Sequence, residues 1–197
     1  MSRLIETIRV AGGRPQNLDY HKRRMNDASM ALFGDFLHWN PGRLFATIEL
    51  PPDEIYKVRL VYDFNGGTYT HAPYKIRPVR SLKLVTDNNI VYDHKFEDRS
   101  GLERLLALKE DCDDILIIKN NLVTDVSYAN IVFREETQWY TPESFLLNGT
   151  MRQKLLDTGK IRERSITVDD IRKFSHFRLI NAMLLDEAPE SEISNIH

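Results

Sequence analysis

The strand-rich stretch 114–133 constrains the fold more than any other part of the sequence. Two apolar, β-branched runs, 114–119 and 122–133, flank the dipeptide Asn120-Asn121. Short apolar runs that are separated by turn-forming residues are typical of paired strands. We therefore predict a hairpin here, with residues 139–141 as a third strand.

Asp125 interrupts the second apolar run of this hairpin, where side chains should be largely buried. Aspartate is disfavoured in strands, and burying its charge is costly without a cationic or N–H partner. A structural partner is the more common explanation. A ligand that carries such a donor is the other, and the residues alone leave both open.

The chain changes rhythm near its middle, which indicates two units. A proline-bracketed segment, 74–81, follows two strand-like runs and looks like a connector. We place the boundary near Val79 and predict two α+β units, residues 1–78 and 79–197. The other predicted elements are strands at 4–10, 55–63, 68–77, 82–87 and 90–95, a helix from an N-cap at Asp19 to about Phe33, and a short helix at 99–111.

Lys95 is placed by the alternation of residues 90–95 at the end of a predicted strand, just before a charged turn. A lysine at a strand edge commonly discourages pairing with another chain. A chemical role is the alternative, and it needs support from the rest of the sequence.

Arg24 is predicted to lie at the edge of the buried face of the first helix. It shares a face with Ala28 and Ala31, beside the row that Met25 and Leu32 extend. The arginine could snorkel along apolar surface to reach water. Alternatively, it points inward and binds an anion.

Gly149 and Thr150 lie where a loop enters a predicted helix that ends at Gly159. The first amide groups of a helix have no partner within it, and the helix dipole makes this end positive. The segment is therefore a candidate anion site, most often used for phosphate. A plain capped helix with Thr150 as its N-cap is the alternative.

Composition excludes several classes of protein. The 197 residues include 27 basic and 29 acidic side chains that are dispersed along the chain, with a net charge of −2, so no basic patch indicates nucleic acid or an anionic membrane. Six scattered histidines and one cysteine give no metal-ligand spacing and no internal disulfide. No apolar run has transmembrane length and the start lacks a secretory signal, so we expect a cytoplasmic protein.

Five motifs in order resemble those of the class IV fold type of pyridoxal-phosphate enzymes. This family includes branched-chain aminotransferase, D-amino-acid aminotransferase and aminodeoxychorismate lyase. The resemblance covers nearly the whole chain, and the N-A-M segment is most typical of the lyase branch. The matching stretches are "LIETIRVAGGRPQNLDYHKRRM" (4–25), "KFEDR" (95–99), "DVSYANI" (125–131), "LLNGTMR" (146–152) and "INAML" (180–184).

The resemblance implies a role for each unusual residue. Lys95 would form the Schiff base with the cofactor and then move the substrate proton. Asp125 would accept a hydrogen bond from the protonated pyridine nitrogen, although the family usually has glutamate there. The implied phosphate ligands are Arg24, the backbone amides of Gly149, Thr150 and Met151, and the neighbouring Asn181 and Ala182.

The resemblance also implies a D-amino-acid aminotransferase-like fold and a homodimer. The cofactor, pyridoxal 5′-phosphate, would lie in a cleft between a small N-terminal and a larger C-terminal domain. The preferred activity is 4-amino-4-deoxychorismate lyase, which releases pyruvate and gives p-aminobenzoate for folate biosynthesis. A branched-chain or D-amino-acid transaminase and a weakly catalytic pyridoxal-phosphate-binding protein stay open. Arg59 and Arg77 are the candidates for the substrate carboxylate.

Overall fold

The computed structural model describes residues 3–185 and 188–197, and it divides into two compact units. The first unit consists of the chain up to Ile76 together with His94–Asp98. The second consists of Arg77–Asp93 and Arg99–His197. The short segment that contains Lys95 thus belongs with the N-terminal residues and not with its sequence neighbours.

An antiparallel sheet with the strand order β2-β1-β3-β4 forms the framework of the first unit. Apolar side chains of β1 and β3, such as Ile8 and Leu60, pack with Met25 and Ala28 of α1. The elements are β1 (Leu4–Ala11), β2 (Arg14–Pro15), α1 (Leu18–Phe33), α2 (Pro41–Ala46), β3 (Tyr56–Tyr62) and β4 (Gly67–Pro73).

Helix α1 begins earlier than the sequence predicted. Its N-cap is Asn17, in the left-handed conformation, so the prediction of Asp19 was two residues late. It ends at Gly34, whose φ of 75° lets its N–H donate to the carbonyl of Met30. The face that packs on the sheet is centred on Met25 and Ala28.

The predicted inward face of α1 was only partly right. His21 and Ser29 are buried beside Met25 and Ala28, whereas Ala31 and Leu32 are exposed. Ala31 and Leu32 therefore lie on the solvent side of the helix, although Phe33 still packs against the core of this unit. Arg24 lies at the edge of the buried face, as predicted.

An eight-stranded mixed sheet forms the second unit, in the order β10-β9-β8-β7-β6-β5, with β11 paired to β8 and to β12. The pairs β5–β6 and β9–β10 are parallel. The elements are β5 (Leu82–Thr86), α3 (Ser100–Leu106), β6 (Asp114–Lys119), β7 (Leu122–Val126), β8 (Asn130–Glu135), β9 (Gln138–Pro142), α4 (Thr150–Asp157), β10 (Ile161–Arg164), β11 (His176–Ile180) and β12 (Ser191–Glu192), with 3-10 turns at Ile171–Lys173 and Ile193–Asn195.

The predicted hairpin is present, but its second strand is two strands. Asn120 and Asn121 have φ values of 52° and 64°, which is the left-handed pair that a tight hairpin turn requires. The run 122–133, predicted as one strand, turns sharply between β7 and β8, so that Asp125 lies opposite Asn130. No glycine or proline marks this turn, which is why the sequence pattern missed it.

Residues 90–95 do not form the predicted strand. Ile90 and Tyr92 are buried while Val91 is 69% exposed, so the alternation is real. It reflects burial of every second side chain in a segment that bends at Asp93 and His94 and is not a sheet strand. Within this stretch, Phe96 forms a single bridge, with Leu4. No helix within the described part of the chain is long and apolar enough to span a membrane.

Candidate active site

Asp125 is a buried carboxylate that is held by three N–H donors. Asn130 Nδ2 donates to Oδ1 at 2.7 Å, and the amides of Leu146 and Leu147 donate to Oδ2 at 2.9 Å each. Burial nevertheless raises the pKa of Asp125 to about 6. Each carboxylate oxygen has two lone pairs, so Oδ1 can accept one further donor.

Asn130 connects this carboxylate to the start of α4. Its amide nitrogen also donates to the carbonyl of Leu147, at 2.9 Å. A side chain at position 149 would overlap Asn130 Oδ1, although φ at Gly149 is an ordinary −66°. Glycine is therefore required there by the close approach of Asn130 and not by backbone conformation.

The start of α4 has the character of an anion site. Gly149 is the N-cap, so Thr150 does not cap the helix, and glycine has no side chain that could cap it. Thr150 and Met151 are both buried in the first turn. The amide groups of this turn and the positive end of the helix dipole thus lie beside the loop that binds Asp125.

Arg152 was missed by the sequence analysis although it lies inside the quoted motif "LLNGTMR". Its buried guanidinium donates from Nη2 to the carbonyl of Pro142 at 3.0 Å and to Glu163 at 2.6 Å, and it lies over the ring of Phe145. These contacts fix the loop between β9 and α4. That loop supplies two of the three donors to Asp125.

A second missed set fixes the turn between β7 and β8. Arg99, from the motif "KFEDR", donates from Nη2 to the carbonyl of Ser127 at 2.9 Å. The buried carboxylate of Asp114 accepts from the Ser127 hydroxyl at 2.9 Å. The turn that places Asp125 opposite Asn130 is therefore held at Ser127, by Arg99 at its carbonyl and by Asp114 at its hydroxyl.

Asn181 shapes the segment after β11. Its side-chain oxygen accepts from the amides of Met183 and Leu184 at 2.8 and 2.9 Å, which forms an Asx-type turn. Ala182 is buried inside that turn. The predicted cofactor-binding residues of the second unit thus lie at two well-defined turns and one helix start, whereas the predicted substrate ligand Arg77, also in the second unit, lies at none of these.

Arg24 is paired with a buried glutamate of β1 in the first unit. Its Nε and Nη2 donate to Glu6 at 2.9 and 2.5 Å, and His21 lies at 2.6 Å from the same carboxylate. Burial alone would raise the pKa of Glu6, but Arg24 and His21 outweigh burial and lower it to about 2. The Arg24 side chain is 12% exposed, and this pairing fixes the orientation of its guanidinium.

Lys95 lies in the short segment that lines up beside β1. Its carbonyl accepts from the amide of Ile5 at 2.8 Å, and two residues later Glu97 pairs with Arg3 and Arg59, each at 3.1 Å. Lys95 itself is half-buried. Backbone pairing with β1 thus sets where Lys95 is held.

Arg59 and Arg77 have different surroundings. Arg59 lies on β3 and is 39% exposed, with Glu97 as a carboxylate partner. Arg77 is exposed and lies outside any strand, because β4 ends at Pro73 and not at residue 77 as predicted. The structure assigns Arg59, but not Arg77, to a fixed position in a sheet.

Gly149→Ala is expected to destabilise the fold by about 1–3 kcal/mol, because the added methyl group must displace Asn130 or the loop it binds. Urea unfolding followed by circular dichroism measures the change. Gly66→Ala is the control, since a side chain there meets open space, and its effect should be within about 0.5 kcal/mol of zero. Equal effects of the two changes would contradict the packing described above.

Comparison with known proteins identifies the class to which this fold and these motifs belong. The family model described as amino-transferase class IV matches residues 3–185. An uncharacterised protein of Haemophilus influenzae is 38% identical over 183 residues, which cover 91% of this chain and 97% of that protein. The chain belongs to the class IV aminotransferase family.

Solved structures share its α+β fold, which confirms the predicted fold class. A crystal structure from Haemophilus somnus 129PT, of a candidate 4-amino-4-deoxychorismate lyase, is similar with a TM-score of 0.88 and 34% identity, over 93% of this chain and 97% of that one. A hypothetical aminotransferase of Mycobacterium tuberculosis, in its pyridoxal-phosphate-bound form, is similar with a TM-score of 0.77 and 15% identity. The similarity covers 99% of this chain and 81% of that one.

Proposed function

We propose that this protein is a pyridoxal-phosphate-dependent 4-amino-4-deoxychorismate lyase, which releases pyruvate and gives p-aminobenzoate. Membership of the class IV aminotransferase family supports the cofactor. The similarity to the Haemophilus somnus protein and the N-A-M segment at 181–183 favour the lyase over a transaminase. The observation that carries the proposal is the connection of a buried carboxylate, Asp125, through Asn130 to the amide-rich start of α4.

The residues fit this cofactor chemically. Asp125 Oδ1 has room for one more donor, which suits the N–H of a protonated pyridine ring. The start of α4 offers amide groups to a phosphate dianion. When bound, pyridoxal phosphate supplies an electron sink for the carbanion that forms at the substrate α-carbon.

Lys95 is proposed as the catalytic residue. Its Nζ would hold the cofactor through the aldehyde group, and its amine would take the proton from the substrate α-carbon. The hydrogen bond between the Lys95 carbonyl and the Ile5 amide fixes the backbone from which this side chain projects. Asp125 would keep the pyridine nitrogen protonated, since the negative charge of its carboxylate raises the pKa of a pyridinium beside it.

The phosphate is proposed to bind Arg24 and the amides of Gly149, Thr150 and Met151, with Asn181 and Ala182 close to it. Arg24→Ala is expected to weaken pyridoxal-phosphate binding about 10- to 100-fold, because a charge-assisted hydrogen bond is lost. It also leaves Glu6 with fewer donors, so some loss of stability should accompany it. Equilibrium titration of the apoprotein at a temperature where the variant is folded measures the affinity.

The control for this experiment is Arg23→Ala. Arg23 is the neighbour of Arg24 on the same helix. It is exposed, and its guanidinium stacks on the ring of Tyr20. Its removal should leave the affinity for pyridoxal phosphate unchanged. A larger loss from Arg23→Ala than from Arg24→Ala would show that the wrong face of α1 has been assigned to the phosphate.

The substrate carboxylate is proposed to bind Arg59 or Arg77. Removing the binding residue should raise KM about 10- to 100-fold while the cofactor stays bound, since a charge-assisted contact with substrate is lost. Steady-state kinetics of Arg59→Ala and Arg77→Ala identify which one it is. Lys57→Ala is the control, because Lys57 is exposed on the same strand, two residues from Arg59. Unchanged KM in both arginine variants would exclude these two residues.

The experiment that tests the lyase activity compares two reactions of the same preparation. Formation of p-aminobenzoate from 4-amino-4-deoxychorismate is measured against conversion of the cofactor to its aminated form by a panel of L- and D-amino acids. We expect pyruvate release without accumulation of the aminated cofactor. Rapid amination by an ordinary amino acid would instead support the transaminase, and cofactor binding without either reaction would support a weakly catalytic binding protein.

A homodimer in the cytoplasm is part of the same proposal. Light scattering of the purified holoprotein over a range of concentrations should give twice the chain mass. A monomer at high concentration that binds cofactor normally would contradict this part alone.

A further inference from the structure

Glu6 is the most completely buried acid with charged partners in the first unit. It lies on β1 with no exposed surface, and its hydrogen-bond partners His21 and Arg24 lie on one turn of α1. The Glu6 carboxyl is ionised because its pKa lies far below neutral, so it acts only as an acceptor. The hydrogen on His21 Nδ1 must then point at it, and Arg24 donates twice.

The geometry of the Arg24 pairing fixes the plane of the guanidinium. Nε donates to one carboxylate oxygen at 2.9 Å and Nη2 to the other at 2.5 Å, which is the side-on, two-bond arrangement of an arginine–carboxylate pair. This arrangement engages the Nε edge of the guanidinium. The edge formed by Nη1 and Nη2 is thereby turned away from Glu6 in one defined direction.

We propose that Glu6 is a positioning residue for the phosphate of the cofactor and acts through Arg24. This inference rests on the proposed function, because it assumes that Arg24 binds that phosphate. Glu6 itself does not touch the phosphate. It aims the guanidinium of Arg24 and holds it in the partly buried position from which one edge can meet an anion.

The opposite effect is also physically reasonable, so the sign of the change is informative. Removing a negative charge beside Arg24 would strengthen its attraction for phosphate if the arginine stayed in place. Arg24 is only 12% exposed, however, and a guanidinium that loses its carboxylate at such a position is poorly solvated. It gains rotamer freedom by turning toward water. We therefore expect loss of orientation to outweigh the gain in charge.

Glu6→Gln tests the inference when two ligands are compared. Pyridoxal lacks the phosphate of pyridoxal phosphate but has the same ring and aldehyde. The Kd of pyridoxal phosphate is expected to rise about 10- to 100-fold in the variant, as for loss of a charge-assisted hydrogen bond, while the Kd of pyridoxal stays within about twofold. A merely structural role of Glu6 would weaken both ligands equally.

Glu190→Gln is the matched control. Glu190, in the second unit, also accepts from two arginines, Arg134 at 2.6 Å and Arg178 at 2.5 Å, and neither is assigned to the cofactor. The same chemical change there should leave both dissociation constants unchanged. A phosphate-specific loss in Glu190→Gln as large as that in Glu6→Gln would overturn the inference.

Arg24→Lys keeps the positive charge beside Glu6 and, compared with the double variant, tests whether Glu6 acts through Arg24. Lysine cannot make the two-bond contact, so this variant should show the same phosphate-specific loss. The double variant should bind pyridoxal phosphate no more weakly than either single variant, because both changes remove the same two-bond pairing of Arg24 with Glu6. Tighter binding of pyridoxal phosphate in Glu6→Gln, equal losses for both ligands, or additive losses in the double variant would overturn the inference. Wild-type protein that binds pyridoxal phosphate no tighter than pyridoxal would overturn the phosphate site and this inference together.

Discussion

Lys95→Ala is expected to reduce turnover by about three orders of magnitude or more, because the variant loses both the covalent bond to the cofactor and the amine that moves the proton. The visible absorption of the protein with pyridoxal phosphate should change at the same time to that of the free aldehyde. Steady-state kinetics and an absorption spectrum measure the two effects. Circular dichroism should show an intact fold, since the segment is held through the backbone carbonyl of Lys95 and not through its side chain alone.

Lys83→Ala is the control for this experiment. Lys83 lies on β5 and pairs with exposed Glu110 at 2.8 Å. Its removal should change neither the spectrum nor the rate. Turnover in Lys95→Ala close to that of the wild-type protein would rule out Lys95 as the catalytic lysine.

Asp125→Asn is expected to lower kcat about 100- to 1,000-fold, the size of effect seen when a buried group that stabilises developing charge is removed. Asparagine cannot hold the pyridine nitrogen protonated, because it carries no charge. Its amide group would also face Asn130 Nδ2, a donor, in place of the oxygen that now accepts from it. Single-turnover kinetics with saturating cofactor separate the chemical step from cofactor loss, and a kcat near that of the wild-type protein would contradict the assigned role.

The pH dependence of the apoprotein tests the same carboxylate without any reaction. Burial raises the pKa of Asp125 to about 6 in the folded protein, so the folded state binds this proton more tightly than the unfolded chain does. The carboxyl therefore contributes stability at low pH. This contribution is lost as the pH rises from about 4 to about 6, and above that the pH no longer changes it. The free energy of unfolding of the wild-type protein should fall by about 3 kcal/mol over this range relative to that of Asp125→Asn. Urea unfolding of both proteins at several pH values measures the difference. A difference that does not vary with pH would show that this carboxyl is not perturbed.

Local signals in the sequence were sufficient where the structure depends on local geometry. The turn at Asn120 and Asn121 was predicted because both residues tolerate the left-handed conformation that a tight hairpin needs. Gly149 was singled out because it precedes a helix, and the structure adds the packing reason, the approach of Asn130. The α+β fold class was predicted from the strand-like and helical stretches of the sequence together with the family resemblance.

Signals failed where partners are far apart in sequence. The turn after β7 depends on Asp114 and Arg99, which meet Ser127 from separate elements, and nothing near Ser127 indicates them. The pairing of Arg24 with Glu6 joins a helix to a strand across 18 positions. The sequence showed each motif, but it did not show which of their residues contact one another in the folded protein.

The alternation of residues 90–95 shows a different kind of failure. A period of two is shared by paired strands and by any extended segment with one buried side. Ile90 and Tyr92 are buried, yet residues 90–94 form no strand, and Lys95 meets β1 through its backbone carbonyl. Periodicity alone could not separate the two, and the placement of Lys95 therefore depends on its backbone contact with β1.

The covalent attachment of the cofactor is the central claim, and one measurement tests it directly. The protein is saturated with pyridoxal phosphate, reduced with borohydride, digested and mapped by mass spectrometry. We predict a single modified residue, Lys95. A modification on Lys57, Lys83 or Lys109 instead, or no modification at all, would contradict the account.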